Sequence, residues 1–456
     1  MLILADDMGL GDTTAYNPAS KAPTPFLDSL AAAGMRFEDA HTASSVCTPT
    51  RYALLTGRYS WRTHMKSGVL KGYSPLLIKP DRSTIASMLR EQGYATAAIG
   101  KWHLGLGDRE ITDYSQPLSP GPNDVGFDYF FGIPASLDMP PYTFVENDRV
   151  LTSFDGDEVG DSGRKRDGGE GYWHAGPIAR DFTHEGVLPE ITKRSVNYIR
   201  ERGTSGDGQP FFLYVPLNAP HTPWMPTPEF IGRSELGWYG DFIVQVDDTV
   251  GKIMNALDET GVAEETIVVF ATDNGARWRP EDTDKWGHQA NLHYRGQKAD
   301  IFEGGHRVPM IVSWPGKVPA NTSTNHLTSL TDLYATFADL TGVEPAPEDA
   351  PDSETILATL LGETQEQRAS VVHHSAGGMF AVRAGDWKLI EGLGSGGFTR
   401  PKLLKPKEGG PAGQLYNLAD DPSETTNLYL ERPDVVERLT GILEETRGTD
   451  SGPLLP

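Results

Sequence analysis

The chain is predicted to be an α/β protein, with a large doubly wound, mostly parallel sheet sandwiched by helices and a smaller C-terminal antiparallel sheet with a terminal helix. Three observations predict this. Through the first two-thirds of the chain, strand-length apolar runs alternate with amphipathic helical segments. The runs Ala95–Ile99, Phe211–Leu217, Ile267–Ala271 and Val308–Ser313 are continuously apolar, as strands are when helices cover both faces of a parallel sheet. Beyond a Pro-rich acidic stretch at 343–353 the pattern changes to short strands of hairpin spacing.

Each element has its local cause. Met1 leads straight into Leu-Ile-Leu-Ala, the end of a strand. Thr24-Pro25 starts a helix whose Phe26, Leu27 and Leu30 face inward and which ends near Gly34. Ser83 or Thr84 starts another through Ile85, Met88 and Leu89, with Gly93 as its stop. A long helix carries Ile243, Val246, Val250, Ile253, Met254 and Leu257 before Gly261. Residues 104–180 are rich in Gly, Pro and Asp and are expected to be excursions above the sheet, with the very polar 155–171 mobile. Met379–Val382 and Trp387–Ile390 predict a hairpin about Ala384-Gly385-Asp386, and Val435, Leu439 and Ile442 mark the last helix. The expected division is a large domain over 1–342 and a smaller one over 343–456.

Charge and cysteine content exclude several classes. With 40 Lys+Arg against 63 Asp+Glu the net charge is −23, the wrong sign for a nucleic-acid binder. An anionic substrate must therefore meet a local basic pocket. No stretch approaches the ~20 apolar residues that a membrane span needs. A single Cys builds neither a disulfide scaffold nor a cysteine metal cluster.

That cysteine, Cys47, opens the run Cys47-Thr48-Pro49-Thr50-Arg51, followed by Leu55-Thr56-Gly57-Arg58. On its own a buried Cys is a small hydrophobe. Here Thr48 suits a helix cap, Pro49 its first position and Gly57 its end, which puts Cys47 at a helix N-terminus, where an anion is favoured. Polar residues also follow several apolar runs: Asp6-Asp7, Gly100-Lys101-Trp102-His103, Asn218 to His221, and Thr272-Asp273-Asn274-Gly275. Carboxyl ends of strands are where open α/β sheets place ligands. Asp6, Asp7, Asp273 and Asn274 are oxygen donors suited to a hard divalent cation rather than zinc.

With these motifs in this order, and with Leu415-Tyr416-Asn417-Leu418 followed by Asp421-Pro422, most of the chain resembles the formylglycine-dependent sulfatase family. The family usually has Ser where this chain has Thr50, which keeps the small hydroxyl. The resemblance implies hydrolysis of O-sulfate esters by formylglycine made from Cys47 by a separate maturation enzyme. It implies calcium at Asp6, Asp7, Asp273, Asn274 and the modified Cys47, with magnesium as runner-up. One hydroxyl of the hydrated aldehyde would attack sulfur, and the other would later expel sulfate. By the same match His103 serves release, His221 protonates the leaving oxygen, and Lys101, Lys298 and Arg51 clamp the sulfate.

A sulfated glycan or oligosaccharide is the leading substrate class. The alternatives are a small aryl sulfate, a phosphate or phosphonate ester, or mere binding of sulfated glycan if Cys47 stays unmodified. His288, Arg295 and His306, in a basic Gly-punctuated loop, with Trp173 and Trp224 as sugar-stacking rings, are the candidate substrate rim. Family members usually carry a longer first strand, so the chain looks trimmed or started late; no secretory signal is present, and the resemblance implies a periplasmic or secreted location. Oligomeric state is not indicated.

Overall fold

Successive side chains of the central strands feed two different cores, which is what a sheet covered on both faces requires. Ile3, Ala5, Ala97, Ile99, Leu213 and Val215 join one apolar cluster, with Leu27, Ile191, Ile199, Val246 and Val250 from the helices over that face. Leu2, Leu4, Ala98, Phe212, Tyr214 and Val269 join the other, with Leu54, Ile85, Met88, Leu333 and Phe337. The computed structural model describes residues 1–161, 172–363 and 366–448.

Among the described residues the main sheet has ten strands. Its centre runs Val268–Thr272, Leu2–Ala5, Phe211–Pro216, Ala95–Lys101 and Tyr129–Ile133, all parallel. Met310–Ser313, expected within the parallel set from its apolar run, instead pairs antiparallel with Val268–Thr272. Burial on both faces makes a run apolar whatever its direction, so composition could not distinguish the two. Helices form at Pro25–Ala32, Ile85–Glu91 and Gly237–Thr260, with Thr84 accepting from Ser87 N and Gly261 closing the last at φ 74°. Phe26, expected to point inward, is 40% exposed and lies over Gly251. A further helix, Val187–Thr204, was not anticipated, although Ile191, Ser195 and Ile199 mark its buried face at four-residue spacing.

Four antiparallel strands, Val371–His374, Phe380–Ala384, Trp387–Ile390 and Gln414–Asn417, form the second sheet. The expected hairpin is present, with Ala384 opposite Trp387 across Gly385-Asp386. The helix Pro433–Arg447 lays Val435, Leu439 and Leu443 against this sheet. In the polar segment expected to be mobile, Phe154–Glu158 is a strand paired with Gly176–Ala179. Residues 162–171 of that segment lie outside the described residues.

Candidate active site

Strand register assembles the floor of the site. Ala5 lies opposite Thr272 in the parallel pair, so Asp6-Asp7 and Asp273-Asn274 leave the sheet side by side. The next two strands lead to His221 and to Lys101 and His103. Gly100 is needed where they converge, because a Cβ there would lie 1.9 Å from Pro216 O. All of these groups gather at the carboxyl edge of the sheet.

Three buried carboxylates meet three cations on that floor. Lys101 Nζ lies 2.6 Å from Asp6 Oδ2 and Lys298 Nζ 2.8 Å from Asp7 Oδ2. Arg51 donates to Asp273 Oδ2 from Nε at 3.0 Å and Nη2 at 2.7 Å, and to Lys101 O at 2.9 Å. Burial alone would raise the Asp6 carboxyl, but Lys101, His221, Arg51 and Lys298 hold it well below the carboxylate range. Asp7 is lowered against the same burial, chiefly by Lys298 and His221. Asp273 is pushed up to about 6 by burial and by its neighbour Asp6. Asn274 Nδ2 donates to Asp7 Oδ1 at 2.7 Å, which leaves Asn274 Oδ1 buried without a partner. Ligand atoms of Asp6, Asp7, Cys47 and His221 all lie within 4.8 Å of one another. The oxygen-rich set and the orphaned amide oxygen fit a hard divalent cation.

Cys47 is itself the first residue of the helix Cys47–Thr56, two positions earlier than Thr48 as cap would put the start. Extended Val46 precedes the helix, and Gly57 ends it at φ 60° with its N–H on Ala53 O. The Thr48 hydroxyl does other work. It donates to His103 O at 3.0 Å and accepts from Leu70 N at 3.2 Å, which ties this helix to the His103 turn. Thr50 Oγ1 donates to Ser44 O at 2.9 Å. Cys47 Sγ lies 3.6 Å from both Asp6 Oδ1 and Lys298 Nζ. Burial, then Asp273, drives its pKa far upward, so the thiol stays protonated and is a poor nucleophile.

Each histidine has its tautomer set by a carbonyl. His103 Nε2 donates to Leu70 O at 2.8 Å, which leaves Nδ1 as a buried lone pair with no partner. His221 Nδ1 donates to Thr222 O at 2.5 Å, which turns Nε2 towards Ser136 Oγ at 3.4 Å and Asp7 Oδ2 at 3.7 Å. Burial lowers both imidazoles, assisted by Lys101 at His103 and by Lys298 at His221. Asp7 and His103 have left-handed backbones, φ 68° and 57°. Such strain costs on the order of 1–3 kcal/mol each and concentrates at functional sites.

Above the floor opens a cleft of about 740 Å³ that reaches Cys47, His103, His221 and Lys298. Arg51 and Lys101 do not border it. Arg51, expected to clamp the anion, is fully buried and committed to Asp273, Asp6 and a carbonyl.

The expected rim is also corrected. His288 is buried with Nε2 on Asp12 Oδ1 at 2.9 Å. Arg295 donates to Glu424 O at 2.6 Å and covers the Phe302 ring. His306 lies in a buried polar cluster with His41, His373 and Lys388. Trp224 packs on Tyr239, and Trp173 stacks on His184. The residues that do line the cleft include Asp138, Tyr172, Arg277, Phe398, Arg400 and Lys402. For Arg400 and Lys402 the sequence signal was the basic run Arg400-Pro-Lys402-Leu-Leu-Lys405-Pro-Lys407, conspicuous in so acidic a chain.

A sulfatase family model matches residues 1–343. The chain belongs to the sulfatase family. As a sulfatase it is a sulfuric ester hydrolase. A second model, for the C-terminal region of N-sulphoglucosamine sulphohydrolase, matches 296–448. The sulfatase is 37% identical to an N-acetylgalactosamine-6-O-sulfatase of Bacteroides thetaiotaomicron, over 98% of this chain and 92% of that one. It is 32% identical to rat arylsulfatase G over 96% of this chain and 84% of that protein. A solved Bacteroides thetaiotaomicron sulfatase, described within the metabolism of multiple glycosaminoglycans, superposes with TM-score 0.86 at 34% identity, covering 98% of both chains. A Pseudoalteromonas sulfatase superposes with TM-score 0.76 at 26% identity, covering 99% of this chain and 91% of that one. No described helix is long and apolar enough to cross a membrane.

Proposed function

We propose that this sulfatase removes O-sulfate groups from a sulfated carbohydrate, with Cys47 converted to formylglycine and with calcium held by Asp6, Asp7, Asp273 and Asn274. One observation carries the substrate class. Asp138 lies buried on the cleft wall; its Oδ1 is 4.0 Å from His221 Nδ1, too far for a hydrogen bond, and has no hydrogen-bond donor. A buried carboxylate oxygen left without a donor is costly. A sugar hydroxyl or amide N–H supplies that donor and a plain aryl ring does not. The relatives named for N-acetylgalactosamine sulfates and for glycosaminoglycan metabolism support the same class.

A divalent cation on the floor would supply positive charge beside the sulfate and favour ionisation of oxygen acids next to it. The chain's own groups do the rest. Lys298, the one of the three floor cations that borders the cleft, holds a sulfate oxygen, while Lys101 and Arg51 keep the carboxylates in place from behind. Formylglycine, the form of Cys47 that the family resemblance implies, attacks sulfur through a hydroxyl, whereas burial pushes the unmodified thiol up and disfavours its thiolate. His221 Nε2, aimed into the cleft, gives its proton to the departing sugar oxygen; the bound ester's negative charge favours the protonated ring. The His103 Nδ1 lone pair takes the proton that accompanies sulfate release. Cys47 is 2% exposed, so a maturation enzyme must reach it before the fold closes.

Asp138→Asn tests the carbohydrate reading. The amide adds donors where the site offers an acceptor, so KM for a sulfated sugar is expected to rise by about tenfold. An aryl sulfate, with no hydroxyl to place there, loses less. Equal losses on both substrates would contradict the role given to Asp138.

A further inference from the structure

We propose that the cleft contains a second anion subsite, outside the floor where sulfur reacts, built from Arg400 and Lys402. It takes a carboxylate or a second sulfate on the sugar next to the one that is desulfated. The proposal rests on the carbohydrate reading above and specifies it further: the preferred substrate is an oligosaccharide with at least two negative charges.

The charge pattern is the first observation. The chain carries −23 overall, yet positions 400–407 hold Arg400, Lys402, Lys405 and Lys407 with no acid among them. Arg400 and Lys402 line the cleft, whose lining also holds Arg277, Arg279 and Lys298 against the acids Asp138 and Glu281. Some exposed arginines elsewhere have carboxylate partners, such as Arg180 with Asp155 at 2.8 Å, Arg200 with Glu259 at 2.8 Å and Arg432 with Asp434 at 2.9 Å, while others, such as Arg90 and Arg438, stand alone among the described residues, on the surface rather than in a cleft. The Arg400 and Lys402 side chains have no hydrogen bond or ion pair among the described residues. Like charges held together at a cleft mouth repel one another, and a bound anion relieves that repulsion.

Rigidity is the second. Asp300 Oδ1 accepts the backbone N–H of Phe398 at 2.7 Å and of Thr399 at 3.0 Å, and its Oδ2 accepts the Thr399 hydroxyl at 2.5 Å. Gly397 packs so tightly that a Cβ there would lie 2.1 Å from Ala299 O. Leu404 N donates to Leu393 O at 3.0 Å and closes the loop. The backbone that carries Arg400 and Lys402 is thus bolted to the segment that carries Lys298, so binding has only the two side chains, and not the loop, left to order. Arg277 lies over both the Tyr172 ring, at 5.7 Å, and the Phe398 ring, at 5.4 Å. These aromatic faces border the same cleft and suit a sugar ring carried between the two anions.

The test compares kcat/KM for sulfate release from one sulfated sugar presented in three disaccharides. The neighbour is a hexuronate, the same hexuronate reduced to its neutral hexose, or a neutral hexose carrying a second sulfate. The matured enzyme is expected to favour the charged disaccharides by about tenfold, the scale of one or two charge-assisted hydrogen bonds. That ratio should shrink as ionic strength approaches about 1 M, where the screening length is about 3 Å. The better of the two charged arms identifies carboxylate or sulfate as the anion. Arg400→Ala with Lys402→Ala should bring the charged-to-neutral ratio close to one, and Arg400→Glu with Lys402→Glu should invert it. A wild-type ratio near one, or a ratio that both double variants leave intact, overturns the proposal while the carbohydrate reading stands. Failure to release sulfate from any of the three overturns both.

Discussion

Cys47→Ala is expected to abolish sulfate release, by on the order of 10⁴-fold or more, while leaving the protein folded. The side chain is at the one point where the helix N-terminus, Lys298 and the Asp6 carboxylate converge, with Sγ 3.6 Å from both groups. The floor carboxylates are each engaged by a cation, Asp6 by Lys101, Asp7 by Lys298 and Asp273 by Arg51, which leaves them poorly placed to attack. Loss of one sulfur atom from a buried site costs about 1 kcal/mol of stability, so the urea unfolding midpoint should barely move. Unconverted wild-type protein should be equally silent, because burial raises the thiol and disfavours the thiolate needed for attack. Sulfate release by the alanine variant, measured by ion chromatography, would remove Cys47 from the mechanism.

Arg51→Met is expected to have the largest effect on stability. Arg51 is fully buried and satisfies Asp273 through two bonds, with Asp6 Oδ1 3.7 Å away. Methionine fills much of the volume but leaves the floor with three carboxylates and only Lys101 and Lys298 to oppose them. Breaking a buried pair from one side costs about 3–5 kcal/mol. Urea unfolding of metal-free protein should show a loss of that size. Arg51→Lys should fall between, since it keeps the charge but loses the planar fork that engages Asp273. A loss below about 1 kcal/mol for Arg51→Met would mean that the carboxylates are compensated by something other than this guanidinium.

Why the floor could be read from the sequence and the rim could not follows from how each is built. Asp6-Asp7, Lys101, His103, His221 and Asp273-Asn274 sit directly after buried strands, so the order of a parallel sheet alone brings them together. The rim depends on loops whose course is fixed by distant side chains. Asp300 sets the position of Phe398 and Thr399, a contact across nearly a hundred residues that no local pattern reveals. Basic residues among glycines at 285–307 looked exposed for the same reason. Instead His288 found Asp12, Arg295 found the Glu424 carbonyl and His306 stacked on His373. Trp173 missed the cleft by one position, since its neighbour Tyr172 is the ring that reaches it. Arg51 was expected to hold the sulfate, but its partner is the Asp273 carboxylate.

The central claim is that this floor hydrolyses sulfate esters of carbohydrates, and inorganic sulfate release tests it most directly. The protein would be co-expressed with a maturation enzyme, its formylglycine confirmed by the mass of the Cys47 peptide, and supplied with calcium. It would then be offered sulfated mono- and oligosaccharides, an aryl sulfate and the matching phosphate esters. The account predicts sulfate from at least one sugar family, faster than from the aryl sulfate, and no comparable phosphate release. Phosphate turnover without sulfate turnover, from protein proven to carry formylglycine, would contradict it.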